Sequence, residues 1–304
     1  ASYDGLRTIE HRLQMVGDNQ THSLPAGDAL DNVAREMLGQ GKLLSGAGRG
    51  EDISRWFYTN KRGLAEYNLR DCELVWDIFE QARLLDFAIA RSQLTGLALD
   101  RIGGSVAAFE FSYLPRLHRC GYVAPNLGEL ESDIISPGGY VMDSRPGLYD
   151  NVLVLDFKSL YPSIIRSFNI DPCGFWLAQH GEWEEAALVP GFNGARFVKQ
   201  GHILPGIIAE LWAARDQAKK DRDEPLSQAI KLIMNSFYGV LGSTGCRFFD
   251  PRLAGAITKR SHEILKTTKA WIESIGYRVI YGDTDSIFVH VGSEQSAKQC
   301  KVLG

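Results

Sequence analysis

Two aspartates stand one residue apart between two apolar runs near the end of the chain, in the stretch YGDTDSIFV from Tyr281 to Val289. Apolar, β-favouring residues on both sides of a short polar turn predict a β-hairpin. Asp283 and Asp285 would lie on the same side of a strand-like backbone, because side chains alternate along a strand. Two like charges held this close raise each other's pKa unless a cation joins them. The alternative is an ordinary solvated turn in which Asp forms local hydrogen bonds.

A third acid ends another predicted strand. The run VLVLDF, residues 152–157, is a compact apolar segment that contains Asp156, and SLYPSIIRSF follows it at once as a short predicted helix. If this strand pairs beside the hairpin, three carboxylates meet. Ligand sets made of oxygen alone favour Mg²⁺ or Mn²⁺.

Helical periodicity covers much of the remaining sequence. We expect helices at residues 28–38, 64–95, 105–119, 205–222, 225–241 and 253–275. Residues 1–63 read as irregular apart from the first of these helices. The polar link DRDE predicts an antiparallel helical hairpin on either side of it. Acid-bearing strands with a helical hairpin inserted between them predict an α+β fold.

Two helix faces carry cations. Arg215 and Lys219 are four residues apart, so they share one face. Lys231, Asn235 and Tyr238 follow at steps of four and three and share another. Lys and Arg on one side of a polyphosphate, with a metal on the other, are what phosphoryl transfer requires. A solvated charged face is the alternative for either helix alone.

The amino-acid composition excludes few classes of protein. The 304 residues are 44% hydrophobic, which is enough for one large or two ordinary domains. A net charge of −4 neither supports nor excludes a polyanionic partner. The five cysteines form no CxxC pair, so neither a zinc site nor a disulfide framework is indicated, and a reducing cytoplasmic compartment is expected. We find no signal peptide and no apolar run of membrane-spanning length.

Three motifs, taken together and in order, carry a family resemblance. DFKSLYPSII (156–165), KLIMNSFYG (231–239) and YGDTDS (281–286) resemble the three polymerase motifs of family B DNA polymerases. YNLRD (67–71) resembles the third motif of the proofreading exonuclease that precedes the polymerase in that family. The similarity extends over about residues 64–291 and is greatest to bacterial members.

The resemblance implies a two-metal site for Mg²⁺ or Mn²⁺. Asp156 and Asp285 would be the main ligands, Asp283 a weaker contributor, and the backbone carbonyl of Phe157 a further ligand. The nucleotide would be held by the backbone amides of Ser159, Leu160 and Tyr161 and by the side chains of Arg215, Lys219, Lys231 and Asn235. Tyr161 would also pack under the sugar. Tyr238 and Gly239 would lie against the nascent base pair.

The resemblance also implies an architecture. A palm, made of an antiparallel sheet with helices, would receive a helical-hairpin fingers subdomain and follow the helical end of a 3′–5′ exonuclease domain of RNase H-like fold. The segments would be 1–95 for the exonuclease end, 96–150 for the connection, 151–203 and 242–304 for the palm, and 204–241 for the fingers. Primer–template DNA and dNTP would be partners, together with a sliding clamp bound through sequence beyond residue 304. The expected location is the cytoplasm, at the nucleoid.

Only Tyr67 and Asp71 match a proofreading site, and no Asp-x-Glu motif precedes them. We therefore expect a piece of a longer protein, without a thumb after Gly304. On this reading the isolated chain has no exonuclease activity and little processive synthesis.

Two other classes stay open. One is a fragment that binds nucleotide and metal without extending a primer. The other is a metal-dependent, nucleotide-sugar glycosyltransferase of the Asp-x-Asp type, which would leave Lys231 and Asn235 without a role.

Overall fold

The computed structural model describes residues 28–46, 48–101, 104–129 and 136–292. Within these ranges the chain forms many helices and two small antiparallel sheets, an α+β arrangement as the sequence predicted. The ends of the proposed exonuclease and palm segments, residues 1–27 and 293–304, lie outside them. No helix in the described ranges is long and apolar enough to cross a membrane.

The chain divides into two compact units. The first comprises residues 1–104 with 223–229, and the second comprises 105–222 with 230–304. The first unit contains helices α1 (Asp28–Leu38), α2 (Arg49–Thr59), α3 (Lys61–Ala82) and α4 (Leu84–Thr95), and a 3₁₀ turn at Leu99–Arg101.

Helix α1 packs on α3 through a small apolar core. Leu30, Val33 and Ala34 of α1 are buried together with Leu74 and Ile78 of α3. These positions recur at helical spacing on both helices, so each presents one apolar face to the other.

The predicted helix 64–95 is wrong in one respect, because it is two helices. Arg83 adopts a left-handed conformation with φ of 52° between α3 and α4. Its guanidinium Nε donates to Asp86 Oδ2 at 2.9 Å. A break of one residue leaves the apolar spacing on either side nearly intact, so periodicity alone cannot detect it. Helix α2 was likewise not expected within residues 1–63.

The second unit holds most of the remaining elements. In chain order they are α5 (Ser105–Arg119), β1 (Val152–Asp156), α6 (Leu160–Ser167), α7 (Pro172–His180), a 3₁₀ turn (Glu185–Ala187), β2 (Leu188–Pro190), β3 (Arg196–Val198), α8 (Leu204–Lys220), α9 (Glu224–Leu241), α10 (Pro251–Ser274), β4 (Arg278–Asp283) and β5 (Ser286–His290). Helix α9 begins in residues assigned to the first unit. The helix predicted at 105–119 is confirmed at both ends.

Helix α7 and the β2–β3 pair were not predicted. A local signal for α7 was present, because Asp171 is its N-cap and Pro172 its first residue. Asp at the N-cap and Pro at the first helical position are both favoured helix starts. The two three-residue strands carry no comparable signal.

The main sheet has the order β1-β5-β4, and both of its pairs are antiparallel. Ile287 and Val289 of the central strand β5 are buried on one face. On the edge strand β1, Val154 and Asp156 lie on an exposed face. Helix α10 packs against β4 and α6, so the sheet is supported next to its acid-bearing end.

A cluster of aromatic rings fills the core of the second unit. The ring centroid of Phe109 lies 5.2 Å from that of Tyr113 and 5.3 Å from that of Phe237. Phe248 closes the cluster at 4.8 Å from Tyr113. These rings join α5 to α9 and to the segment before α10.

We predict that Phe109→Ala destabilises the protein by about 3–5 kcal/mol, because it leaves a cavity in a closed aromatic cluster. Phe111 lies on the same helix and is 51% exposed. Phe111→Ala is therefore the matched control, with an expected change within about 0.5 kcal/mol. Urea unfolding measures both, and equal losses for the two variants would contradict this account of the core.

Candidate active site

The register of the main sheet brings the three aspartates together along the backbone. Ser286 of β5 lies opposite Asp156 of β1 on one side and opposite Asp283 of β4 on the other. The Phe157 amide donates to the carbonyl oxygen of Asp285 at 2.8 Å. Strand pairing thus joins segments that are more than a hundred residues apart in sequence.

The turn itself differs from the expected strand-like backbone. Thr284 has φ of 52°, and the Asp285 amide donates to the Asp283 carbonyl at 2.6 Å. A β-branched residue in this region is uncommon, and its cost must be met by its surroundings. Tyr140 supplies such support, because its carbonyl accepts from the Thr284 amide at 2.9 Å. The turn thus departs from the regular strand expected between Asp283 and Asp285, whereas the predicted pairing of the Asp156 strand beside the hairpin is confirmed.

The side chains differ in exposure. Asp156 is exposed, whereas Asp283 and Asp285 are half-buried. Asp283 Oδ1 accepts a hydrogen bond from Thr284 Oγ1 at 2.8 Å. In the described part of the chain, no group of three or more His, Cys, Asp or Glu side chains is arranged to hold a metal ion. The backbones of the three aspartates therefore lie on neighbouring strands and the turn between two of them, but their carboxylates do not form the three-acid group that we expected.

The donor set nevertheless fits Mg²⁺. This ion is usually bound by one or two carboxylates together with substrate phosphates, rather than by a cage made wholly of protein. Asp156 and Asp285 on adjoining segments, with the Phe157 carbonyl nearby, supply hard oxygen ligands only. Like charges also keep apart until a cation joins them.

A tight turn leads from β1 into α6. Ser159 is left-handed, with φ of 50°, and it is the N-cap residue of this helix. Leu160 is buried and fixes the first turn, while the Ser163 amide donates to the Ser159 carbonyl at 3.0 Å. The first amides of a helix have no partner within it and favour anions. A helix start of the kind that favours anions thus follows Asp156 directly.

Tyr161 lies between the acids and helix α9. Its ring centroid is 4.6 Å from that of Tyr238. Burial raises the pKa of Tyr161 to about 12, and Tyr238, Asp285 and Asp283 add to the shift in that order. Beside Tyr238, Gly239 has open space where a Cβ would be, although it lies within α9 rather than at its end. A flat ligand could approach the helix there.

The predicted cations gather near the same place. The pKa of Lys219 is lowered, first by the Arg215 guanidinium, then by partial burial, and further by Lys158 and Lys231. Arg215 Nε is buried and has no hydrogen-bond partner among the described residues. An excess of positive charge with an unsatisfied donor is suited to an anionic ligand. Asn235 lies exposed on α9, one turn after Lys231.

Lys158 was not singled out in the sequence. Its Nζ lies 3.9 Å from Asp216 Oδ1 and 5.4 Å from the ring centroid of Trp212, both on α8. Its position two residues after Asp156, in the turn before α6, was the available signal. The contact joins that turn to the helix that carries Arg215.

The exonuclease-like pair lies in the first unit, on α3. Asp71 Oδ2 forms an ion pair with Lys42 Nζ at 3.1 Å, and the two side chains are 23% and 6% exposed. Asp71 Oδ1 is buried and has no hydrogen-bond partner among the described residues. Burial is the main cause that raises the pKa of Tyr67, and the neighbouring Asp71 raises it further. Lys42, which carried no sequence signal, thus neutralises the acid that the motif suggested as a metal ligand.

Comparison with known proteins gives one family match over most of the chain and a different one near its start. The sequence profile of DNA polymerase family B matches residues 103–304, and that of GlnD PII-uridylyltransferase matches residues 1–49. The chain is 53% identical to DNA polymerase II of Escherichia coli (strain K12) over 277 residues, covering 91% of this chain and 35% of that protein. It is 31% identical over 277 residues to the DNA polymerase alpha catalytic subunit of Mus musculus, covering 76% of this chain and 19% of that protein.

A solved structure agrees with these sequence matches. The family B DNA polymerase from the hyperthermophilic archaeon Pyrobaculum calidifontis superposes with a TM-score of 0.68 at 29% identity, over 87% of this chain and 36% of that one. The chain spans about a third of the length of the bacterial relative. The family resemblance read from the three motifs is confirmed.

We predict that Lys42→Met destabilises the protein by about 3 kcal/mol, because it leaves the largely buried Asp71 carboxylate without its counter-ion. Adding Asp71→Asn should recover most of this loss. Arg62→Met is the control, since Arg62 and its partner Glu66 are 91% and 58% exposed. Urea unfolding of these three variants and of Asp71→Asn alone tests this, and purely additive losses for Lys42 and Asp71 would contradict the pairing.

Proposed function

Since this chain belongs to DNA polymerase family B, we propose that it takes part in template-directed DNA synthesis, transferring a nucleotidyl group from dNTP to a primer 3′-hydroxyl. The observation that carries the proposal is the sheet register that sets Asp156 and Asp283 on either side of Ser286, with Asp285 bonded to Phe157. An acid-bearing strand end and an anion-binding helix start occur together at this point.

The three aspartates and the turn after β1 together bind the metal-bound triphosphate. Asp156 and Asp285 serve as carboxylate ligands, with the Phe157 carbonyl beside them and Asp283 as a weaker contributor. Two divalent ions bound there would lower the pKa of the primer 3′-hydroxyl and neutralise charge on the leaving pyrophosphate. The amides of residues 159–161 hold phosphate oxygens at the start of α6.

The cations of α8 and α9 bind the triphosphate from the opposite side. Arg215, Lys219 and Lys231, together with Asn235, form this surface. The lowered pKa of Lys219, caused first by the Arg215 guanidinium, and the buried Arg215 Nε that lacks a hydrogen-bond partner among the described residues both support it. Tyr161 packs under the sugar, and Tyr238 and Gly239 lie against the new base pair.

The family assignment also supports a subdomain scheme. We propose a palm from residues 151–203 and 242–304, fingers from 204–241, a connection at 96–150 and the end of an exonuclease domain at 1–95. Primer–template DNA and dNTP are the proposed partners, and a sliding clamp is a further one. The proposed location is the cytoplasm, at the nucleoid.

We predict that Asp285→Asn lowers single-nucleotide incorporation by several orders of magnitude, because losing a charged ligand removes several kcal/mol of transition-state stabilisation. The full-length protein, a primer–template and Mg²⁺ with dNTP provide the assay. Asp150→Asn is the control, because this exposed acid precedes β1 without joining the three-strand sheet. If the wild-type protein binds dNTP but extends no primer, the binding-only alternative holds. Near-normal incorporation by Asp285→Asn would reject its role.

We predict that Tyr161→Ala raises the ratio of ribonucleotide to deoxyribonucleotide use, because the ring no longer clashes with a 2′-hydroxyl. Loss of a packed aromatic alone would lower both activities alike and leave the ratio unchanged. Insertion of matched CTP and dCTP measures the ratio in the full-length protein. Tyr122→Ala, at a tyrosine that is 38% exposed, is the control. An unchanged ratio in folded Tyr161→Ala would remove this residue from sugar selection.

A further inference from the structure

One carboxylate in the second unit is completely buried and accepts four hydrogen bonds. Asp171 Oδ1 accepts from the Tyr113 hydroxyl at 3.0 Å and from the amides of Ile203 at 3.2 Å and Leu204 at 2.6 Å. Its Oδ2 accepts from the Gly174 amide at 2.7 Å. Nothing in the three polymerase motifs includes this residue.

These bonds make Asp171 a cap for two helices at once. It is the N-cap of α7, and it also accepts from the first amides of α8. Both helix starts direct their positive ends at the same carboxylate, which favours its charged form. Burial raises the pKa of Asp171, while the bonds from Leu204, Gly174, Tyr113 and Ile203 oppose that rise.

Tyr113 extends the network to α5. Its side chain is fully buried, and its hydroxyl accepts from the Cys173 amide at 3.0 Å while donating to Asp171. Helices α5, α7 and α8 are thereby joined at one point by neutral donors around a single negative charge. No cation is needed, because four donors satisfy the carboxylate.

Helix α8 is bonded to this point at its start. Further along it, Asp216 contacts Lys158 at 3.9 Å, with side chains 46% and 62% exposed. Exposed ion pairs stabilise little, so this contact does not by itself hold the helix. The start of α8 at Leu204 is, in contrast, bonded inside the core. Arg215 lies eleven residues beyond it, about 16 Å along the helix axis.

We propose that Asp171 is a positioning residue for the incoming nucleotide: by fixing the start of α8, it holds Arg215 and Lys219 where they meet the triphosphate. This inference rests on the proposed polymerase function. Asp171 touches no nucleotide and acts only through the helix. A tilt of about 10° at the start of α8 would displace Arg215 by about 3 Å. A charge-assisted hydrogen bond to the triphosphate is lost over such a displacement, so binding of the nucleotide weakens.

Asp171→Asn tests the proposal, because it keeps the shape and turns one acceptor oxygen into a donor facing other donors. In the full-length protein we expect the KM for dNTP to rise about tenfold. Both kcat at saturating dNTP and the Kd for primer–template should stay within twofold, once active molecules are counted by burst titration. A purely structural role would lower the number of active molecules and leave the KM unchanged.

Two further variants keep the test decisive. Tyr113→Phe removes only one donor to Asp171, and we expect a two- to threefold rise in the KM for dNTP. If Asp171→Asn does not fold, this variant tests the positioning role instead. Asp250→Asn is the matched control, because Asp250 is a buried N-cap that accepts from the Arg252 amide at 2.8 Å at the start of α10. It should lower thermal stability without changing the KM.

The outcomes separate the two proposals. If wild type incorporates nucleotide and the folded variants of Asp171 and Tyr113 keep its KM, the positioning role is rejected and the polymerase function stands. An equal rise in the KM for dNTP in Asp250→Asn would also reject the positioning role, because the loss of any helix cap would then be enough to raise the KM. If the wild-type protein incorporates nothing, the polymerase function itself fails.

Discussion

The pairing of β5 between β1 and β4 is the constraint on which the site depends. A shift of one residue in this register would turn Ile287 and Val289 out of the core, because side chains alternate between the two faces of a strand. The same shift would move Ser286 away from Asp156 and Asp283. The hydrophobic burial that specifies the sheet therefore also specifies the acid geometry, and the chemistry needs no separate device to align segments distant in sequence.

Acids and cations occupy different elements of the candidate site. Acids collect at the sheet end, while Arg215, Lys219 and neighbouring lysines collect on the helices. Tyr161 lies between the acids and Tyr238, and its high pKa keeps it neutral there. A triphosphate alone would suit the cations and repel the acids, whereas a free metal ion would do the reverse. Metal-bound nucleotide, the ligand that we propose, would satisfy both.

Sequence alone predicted what local pattern determines. The helix at 105–119, the strands around the Asp-Thr-Asp turn and the family all follow from periodicity and ordered motifs. Sequence patterns did not predict features that depend on the conformation of a single residue or on a partner distant in sequence. Left-handed Arg83 and Thr284 break regular patterns without changing composition. Lys42 meets Asp71 across 29 residues, and no local signal marks such a pair. The pairing of the Asp156 strand beside the hairpin was expected from the sequence, but its register, with Ser286 opposite both Asp156 and Asp283, was visible only in the structure.

Structural aspartates differ from candidate catalytic ones in the partners that stabilise their negative charge. Asp171 is stabilised in the core by four neutral donors, and Asp71 by the buried Lys42 ammonium. Asp171 is therefore fully satisfied within the protein, whereas Asp71 is paired only through Oδ2, and its Oδ1 has no hydrogen-bond partner among the described residues. Asp156 instead ends its strand on an exposed face, and Asp285 stays half-buried beside it. Burial of a charge demands an internal partner, whereas partial exposure leaves room for an external one. The acids proposed for catalysis are thus those that the fold keeps nearer to solvent, while Asp171, the most deeply buried acid among the described residues, caps the helix that carries Arg215 and Lys219.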